Sequence, residues 1–323
     1  MKCKSERVAK IVHFFILLFL LFALIGVALF VGAAESTEFV ILHLRVPRIV
    51  MSVFAGASLS LCGAIFQSIF RNPICDPYIL GISSGASIGA AIAIIAGLDF
   101  YLFGVTSFAL ITAFLTLMLM LGITQFSKIK STYIMLLAGI SLNFLMASLL
   151  TLIMVMNHQE MQKIIFWTMG SFATVSYSYL LFFIPVFLIC SFFVLSFSKD
   201  FNIMQLGDTQ AQSLGVNTQK ITYLALFLSS VLIAATVSIC GVIGFIGLIV
   251  PHFVRIIWGN KTKHLFTFSM LLGAILMLLS DTVARTIVAN IELPVGTITA
   301  LIGAPYFIYI LVGRQRRSER CGK

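Results

Sequence analysis

Long apolar runs follow one another along almost the whole chain, separated by short breaks rich in Lys, Arg, Pro, Gly and Asn. A run of roughly 18 or more apolar residues is long enough to cross ~30 Å of hydrocarbon as a helix. On that pattern, ten spans are expected at about 12–34, 49–70, 80–97, 103–126, 132–156, 179–197, 221–240, 244–258, 265–288 and 296–312. The stretch 244–258 is short for the bilayer, and Ile164–Phe172 reads as a further half-helix at the interface. The runs are continuous, which excludes an outer-membrane barrel of ~10-residue alternating strands. The expected fold class is therefore all-α, a polytopic membrane protein with about ten transmembrane helices.

Composition agrees. Sixty per cent of the 323 residues are hydrophobic and only 10% are charged, far too little polar surface for a soluble domain of this size. No linker or low-complexity tract divides residues 1–323, which read as a single transmembrane domain. Lys2, Lys4, Arg7 and Lys10 before the apolar stretch Ile11–Ala34 imitate a signal peptide. That stretch is about twice the usual ~7–15 residues, so a retained first span is expected. Cys3, Cys62, Cys75, Cys190, Cys240 and Cys321 contain no CxxC pair, and the five histidines are scattered, so neither a disulfide framework nor a metal site is expected.

The net charge of +10 is informative through its distribution. Cations cluster beside apolar runs, without the aromatic-interleaved stripe of a nucleic-acid surface. With ten spans and the N-terminus inside, only Arg45, Arg48, Lys163 and Arg285 fall outside, so both termini are expected on the cytoplasmic side of an inner membrane.

Several catalytic readings are excluded. There is no GxxxxGK[ST] loop, so this chain does not cradle ATP phosphates by that motif. Gly81-Ile82-Ser83-Ser84-Gly85 matches a nucleophile elbow but opens an apolar helix, without the strand–turn–helix the motif requires. The spacing of Gly81, Gly85 and Gly89 instead lines one helix face with small residues, suited to close helix packing. A secondary transporter would want ionisable residues near the centre of spans, and Asp281 comes closest.

Charged and broken segments suggest where function sits. Asp281 and Arg285, spaced i,i+4, form a favourable helical ion pair. Alternatively Arg285, with Arg45 and Arg48, forms an exposed receptor for carboxylates. Pro73 and Pro77 break the chain between the second and third spans, leaving Asn72 and Ile74 either in a plain turn or at a gate. The longest polar-leaning segment, Lys199–Lys220, contains a short amphipathic helix, Asp208–Val216, ended by Gly215. A transporter without its own nucleotide site needs such a surface for a motor. A faint echo links Cys62-Gly63-x-Ile65 with Cys240-Gly241-x-Ile243, each followed by a proline at the same offset; four matches fit coincidence.

These stretches carry a resemblance: LRVPRIVMSVFAGASLSLCGAIFQSIFRNPICDPYILGISSGASIGA, then GDTQAQSLGVNTQK, GVIGFIGLIVPHFVRII and ELPVGTITALIGAPYFIYIL. In order and spacing the chain resembles the FecCD permeases, the iron-siderophore, haem and vitamin B12 branch of type II ABC importers. The resemblance implies ten helices in the vitamin B12 importer permease fold and a homodimer or paired homologous permease. It also implies a separate ATPase pair using ATP and Mg, a periplasmic or lipid-anchored binding protein, and no cofactor on this chain. By the same resemblance Arg45, Arg48 and Arg285 match binding-protein docking arginines, and Asp208, Gln212, Leu214 and Gly215 match the ATPase coupling helix. Asn72, Ile74, Thr132 and Tyr133 match the cytoplasmic gates. The bulky Tyr133 stands where the vitamin B12 importer has a small hydroxyl residue, which puts that cargo in doubt. Permeases resembling this one carry siderophores, haem, cobalamin or oxyanions such as molybdate, and a ferric siderophore or related iron chelate is expected as the family's commonest cargo.

Overall fold

A computed structural model describes residues 2–32, 37–126, 132–288 and 292–321; Lys128 and Lys130 lie outside them. All regular elements among the described residues are helical. They are α1 Lys2–Phe30, α2 Glu38–Val40, α3 Val46–Ile69, α4 Ile82–Ile95, α5 Gly104–Phe126, α6 Thr132–Met156 and α7 Met161–Thr168. Then come α8 Tyr177–Ser196, α9 Ser198–Met204, α10 Asp208–Ser213, α11 Thr218–Cys240, α12 Ile246–Trp258, α13 Thr262–Ala284 and α14 Val295–Cys321. A π-helical turn, Ile41–Arg45, leads into α3, and a 3-10 turn, Pro77–Leu80, precedes α4.

Among the described residues seven helices are long and apolar enough to cross a membrane, and three shorter apolar ones, Ile82–Ile95, Ile246–Trp258 and Val295–Ile308, match the remaining three of the ten expected segments. The expected half-helix at Ile164–Phe172 appears as α7, eight residues long but starting and ending earlier, at Met161 and Thr168.

The bundle is built around α3, whose small residues let neighbours approach closely. A Cβ on Gly56 would overlap the backbone of Gly273 in α13, and one on Gly63 would overlap that of Gly247 in α12. Gln67 of α3 donates to the Leu248 carbonyl at 3.0 Å, and Ser58 meets Thr236 of α11 at 3.2 Å. By contrast α1 and α6 leave most of their apolar surface exposed, as lipid-facing helices do.

The short helices place broken backbone inside the bundle. At 1.5 Å per residue the 13-residue α12 is ~20 Å long, so the non-helical 241–245 lies within the membrane thickness. Polar backbone there must be satisfied by protein. Tyr78, in the 3-10 turn before α4, donates its hydroxyl to the Ile243 carbonyl at 3.0 Å and accepts from the Ile243 amide at 3.3 Å. The Ser171 amide donates to the Cys240 carbonyl at 2.8 Å, and the Val295 amide to that of Gly170 at 3.0 Å. The two echoed segments therefore face each other across the core, Gly63 against Gly247 and Gln67 against Leu248.

Among the described residues, Lys10, Lys261 and Lys263, all expected inside, lie close together around His264 at one end of the bundle. There the His13 and Trp258 rings meet at 5.9 Å, and Asn202 of α9 accepts from the Thr262 amide at 2.9 Å. We call this the basic end. Lys163, Asp99 and Glu292 mark the far end.

Candidate functional site

At the basic end α9 and α10 form a small folded unit between two long helices. Met204, Ala211 and Val216 make its own apolar core, with Ile203 and Ile221 against it. The chain reverses direction at Gly207, whose φ of +118° few side-chain-bearing residues tolerate, and leaves α10 through Gly215 at φ +84°. Leu206 and Leu214 stay 63% and 61% exposed beside polar Gln212 and Asp208. Gln212 reaches Thr218 at 3.4 Å. Asp208 accepts from Arg71 at 2.6 Å. The expected Asp208–Val216 helix is thus present but shorter, ending at Ser213.

Beside this unit the chain leaves α3 and does not re-form regular helix until α4. The Asn72 side chain accepts from the Ile74 amide at 3.0 Å and its carbonyl from the Cys75 amide at 3.2 Å, folding a tight polar turn. Asn72 and Ile74 are exposed, as is Tyr133 in the first turn of α6. Thr132 opens α6, with its side chain outside the described ones. Their neighbours Phe70, Arg71, Ile134 and Met135 line one cavity of about 380 Å³, which also reaches Asp208 and Gln212. A second cavity, about 500 Å³, lies across Arg71 and is walled by Gln67, Pro73, His252 and Arg255. Arg255 is tied to Gln67 at 2.7 Å.

The far end corrects one expectation. Arg45, Arg48 and Arg285 do not form an exposed cluster: they are 4%, 7% and 3% accessible. Arg48 bonds Asp281 at 2.9–3.1 Å and Glu292 at 2.9 and 3.0 Å. Arg285 donates to the Ala28 carbonyl at 2.6 Å and lies 4.0 Å from Asp281. Arg45 donates to the Leu29 carbonyl at 2.7 Å. The physical reason is the C-terminal end of α1, whose carbonyls lack helical partners and attract cations. With the fully buried Asp281 they draw the guanidiniums inward; the i,i+4 ion pair is only one edge of that network. On the rim, hydrogen bonds from its ammonium to Glu160 and Asp99 hold Lys163 above its ordinary pKa.

Gly85 and Gly89 of α4 lie against Thr116, Thr112 and Phe108 of α5, while Gly81 abuts Asn143 of α6. Ser84 bonds Asn143. Among the described residues no group of His, Cys, Asp and Glu is placed to hold a metal ion. Residues the pattern did not single out include Glu292, Tyr78, Gln67 and Gly247. Only the echo around Gly63 and Gly241 pointed to that meeting place.

Comparison with known proteins agrees with this architecture. The chain is 40% identical to the molybdate import system permease protein MolB of Haemophilus influenzae over 83% of this chain and 79% of that one. It is 37% identical to the hemin transport system permease protein HmuU of Yersinia pestis, over 87% and 85%. A solved structure described as a metal-chelate type ABC transporter in an inward-facing conformation superposes with a TM-score of 0.86 at 37% identity, covering 93% of this chain and 98% of that one. The model of the FecCD transport family matches residues 10–313, and the chain belongs to that family of membrane permeases.

Proposed function

We propose that this chain is the permease subunit of an importer that carries a ferric siderophore or related iron chelate across the inner membrane, as a homodimer or with a homologous permease. The observation that carries the reading is the α9–α10 unit at the basic end. It is a compact helical knob with two exposed leucines, on the face that the positive-inside bias assigns to the cytoplasm. ATP and Mg act on a separate ATPase pair docked against Asp208, Gln212, Leu214 and Gly215. Asn72, Ile74, Thr132 and Tyr133 close the inner mouth.

A binding protein delivers cargo at the far end. Its carboxylates reach Arg48 only by competing with Glu292, whose side chain is 48% exposed, because Asp281 is fully buried. Arg45 and Arg285 serve mainly to hold the end of α1. Iron chelates are favoured by the likeness to a hemin permease and to a metal-chelate transporter. Proteoliposomes containing the permease and its ATPase, given binding proteins loaded with ferric siderophore, hemin, cobalamin or molybdate, test the cargo. Uptake of an iron chelate supports the reading; uptake of molybdate or cobalamin alone overturns it.

A further inference from the structure

We propose that Arg71 is a positioning residue that ties the α9–α10 unit to the break after α3, so that displacement of α10 is carried to Asn72 and Ile74. The inference rests on the coupling role proposed for α10. Arg71 follows the last turn of α3 and adopts φ +48°, a left-handed conformation uncommon for a residue with a side chain. From there its Nη2 donates to the Met204 carbonyl at 3.0 Å and to Asp208 Oδ1 at 2.6 Å. Met204 is the last residue of α9 and Asp208 the first of α10, so one guanidinium bridges both sides of the Gly207 reversal.

The attachments of the two short helices differ. α9 is anchored to α13 and its approach by Phe201 against Phe266, Asn202 with Thr262, and Gln205 with the Asn260 carbonyl. α10 is held by the Ala211 contact, the Gln212–Thr218 bond and Arg71. A push on α10 is therefore passed along the Arg71 side chain as well as through Ala211 and Thr218. Its backbone continues directly into the hydrogen-bonded Asn72–Cys75 turn. Cavities of about 380 and 500 Å³ lie on either side of Arg71, leaving room for it to swing. The pair is half-exposed, at 48% and 61%, so it adds little to fold stability and suits a contact made and broken in each cycle.

The test compares the wild type with Arg71→Asp, Asp208→Arg and the double exchange, each co-expressed with the ATPase and reconstituted with loaded binding protein. Uptake per ATP hydrolysed should fall about tenfold in each single variant and return to within about threefold in the double. ATPase co-purification is scored in parallel, because loss of assembly alone would lower uptake without changing this ratio. A normal ratio in Arg71→Asp, or a fall that the exchange does not repair while the ATPase still co-purifies, overturns the proposal. A second measurement needs only this chain in nanodiscs: spin labels at Ile74→Cys and Leu214→Cys, with and without Arg71→Ala. A broadened distance distribution in Arg71→Ala is expected, and an unchanged one refutes the tie even if no ATPase partner is found.

Discussion

Replacing Asp281 by Ala should destabilise the bundle far more than replacing Glu292, although both carboxylates bond the same arginine. Asp281 is fully buried, holds Arg48 through bonds of 2.9–3.1 Å and lies 4.0 Å from Arg285. Removing one partner of a buried pair costs about 3–5 kcal/mol, because the surviving charge is left in a poorly solvating site. Arg48 would keep Glu292, which places the expected loss near ~3 kcal/mol. Glu292 itself is 48% exposed, and water can replace it, so its removal should cost about 0–1 kcal/mol. At roughly 2 °C per kcal/mol for a large chain, Asp281→Ala should lower the melting temperature in detergent by ~5–8 °C and Glu292→Ala by no more than ~2 °C. Thermal unfolding followed by size-exclusion chromatography of a fluorescent fusion reads both. Equal shifts for the two variants, or an unshifted Asp281→Ala, would refute the view that this network is a buried structural clamp.

Two further outcomes follow from the packing. Gly63→Val would force a side chain into the Gly247 backbone, so the α3–α12 contact must open, costing at least ~1–3 kcal/mol; a native melting temperature would contradict that geometry. Tyr78→Phe removes the hydroxyl that serves both polar groups of Ile243 and should cost about 1–3 kcal/mol, checked by the same assay and by faster amide exchange at 241–245.

The ten segments were legible because each apolar run needs a membrane; 132–156 is found as Thr132–Met156, while α1 starts ten residues before its expected span and α14 runs nine residues past its own. Even the doubtful 244–258 is present as Ile246–Trp258. Its shortness reflects the break at 241–245, which a hydropathy pattern cannot distinguish from a missing span. Arginine exposure was not legible. It depends on α1 carbonyls, such as that of Ala28, 257 residues from Arg285, and on Glu292 folding back onto Arg48. Local spacing showed only the Asp281–Arg285 edge, the longest contact in that network. The tight turn at Asn72 and the amphipathic α10 were readable from proline and charge patterns. The bond that joins them, from Arg71 to Asp208, spans 137 residues and needed the fold.

The decisive measurement is energised uptake in sealed vesicles carrying this permease with its ATPase and a binding protein loaded with a radiolabelled ferric chelate. Accumulation should require ATP on the side of the basic end and be lost when Asp208–Val216 is replaced by a Gly/Ser linker. Accumulation driven by an ion gradient without ATP, or ATP-driven uptake that survives the linker, would contradict the proposed function.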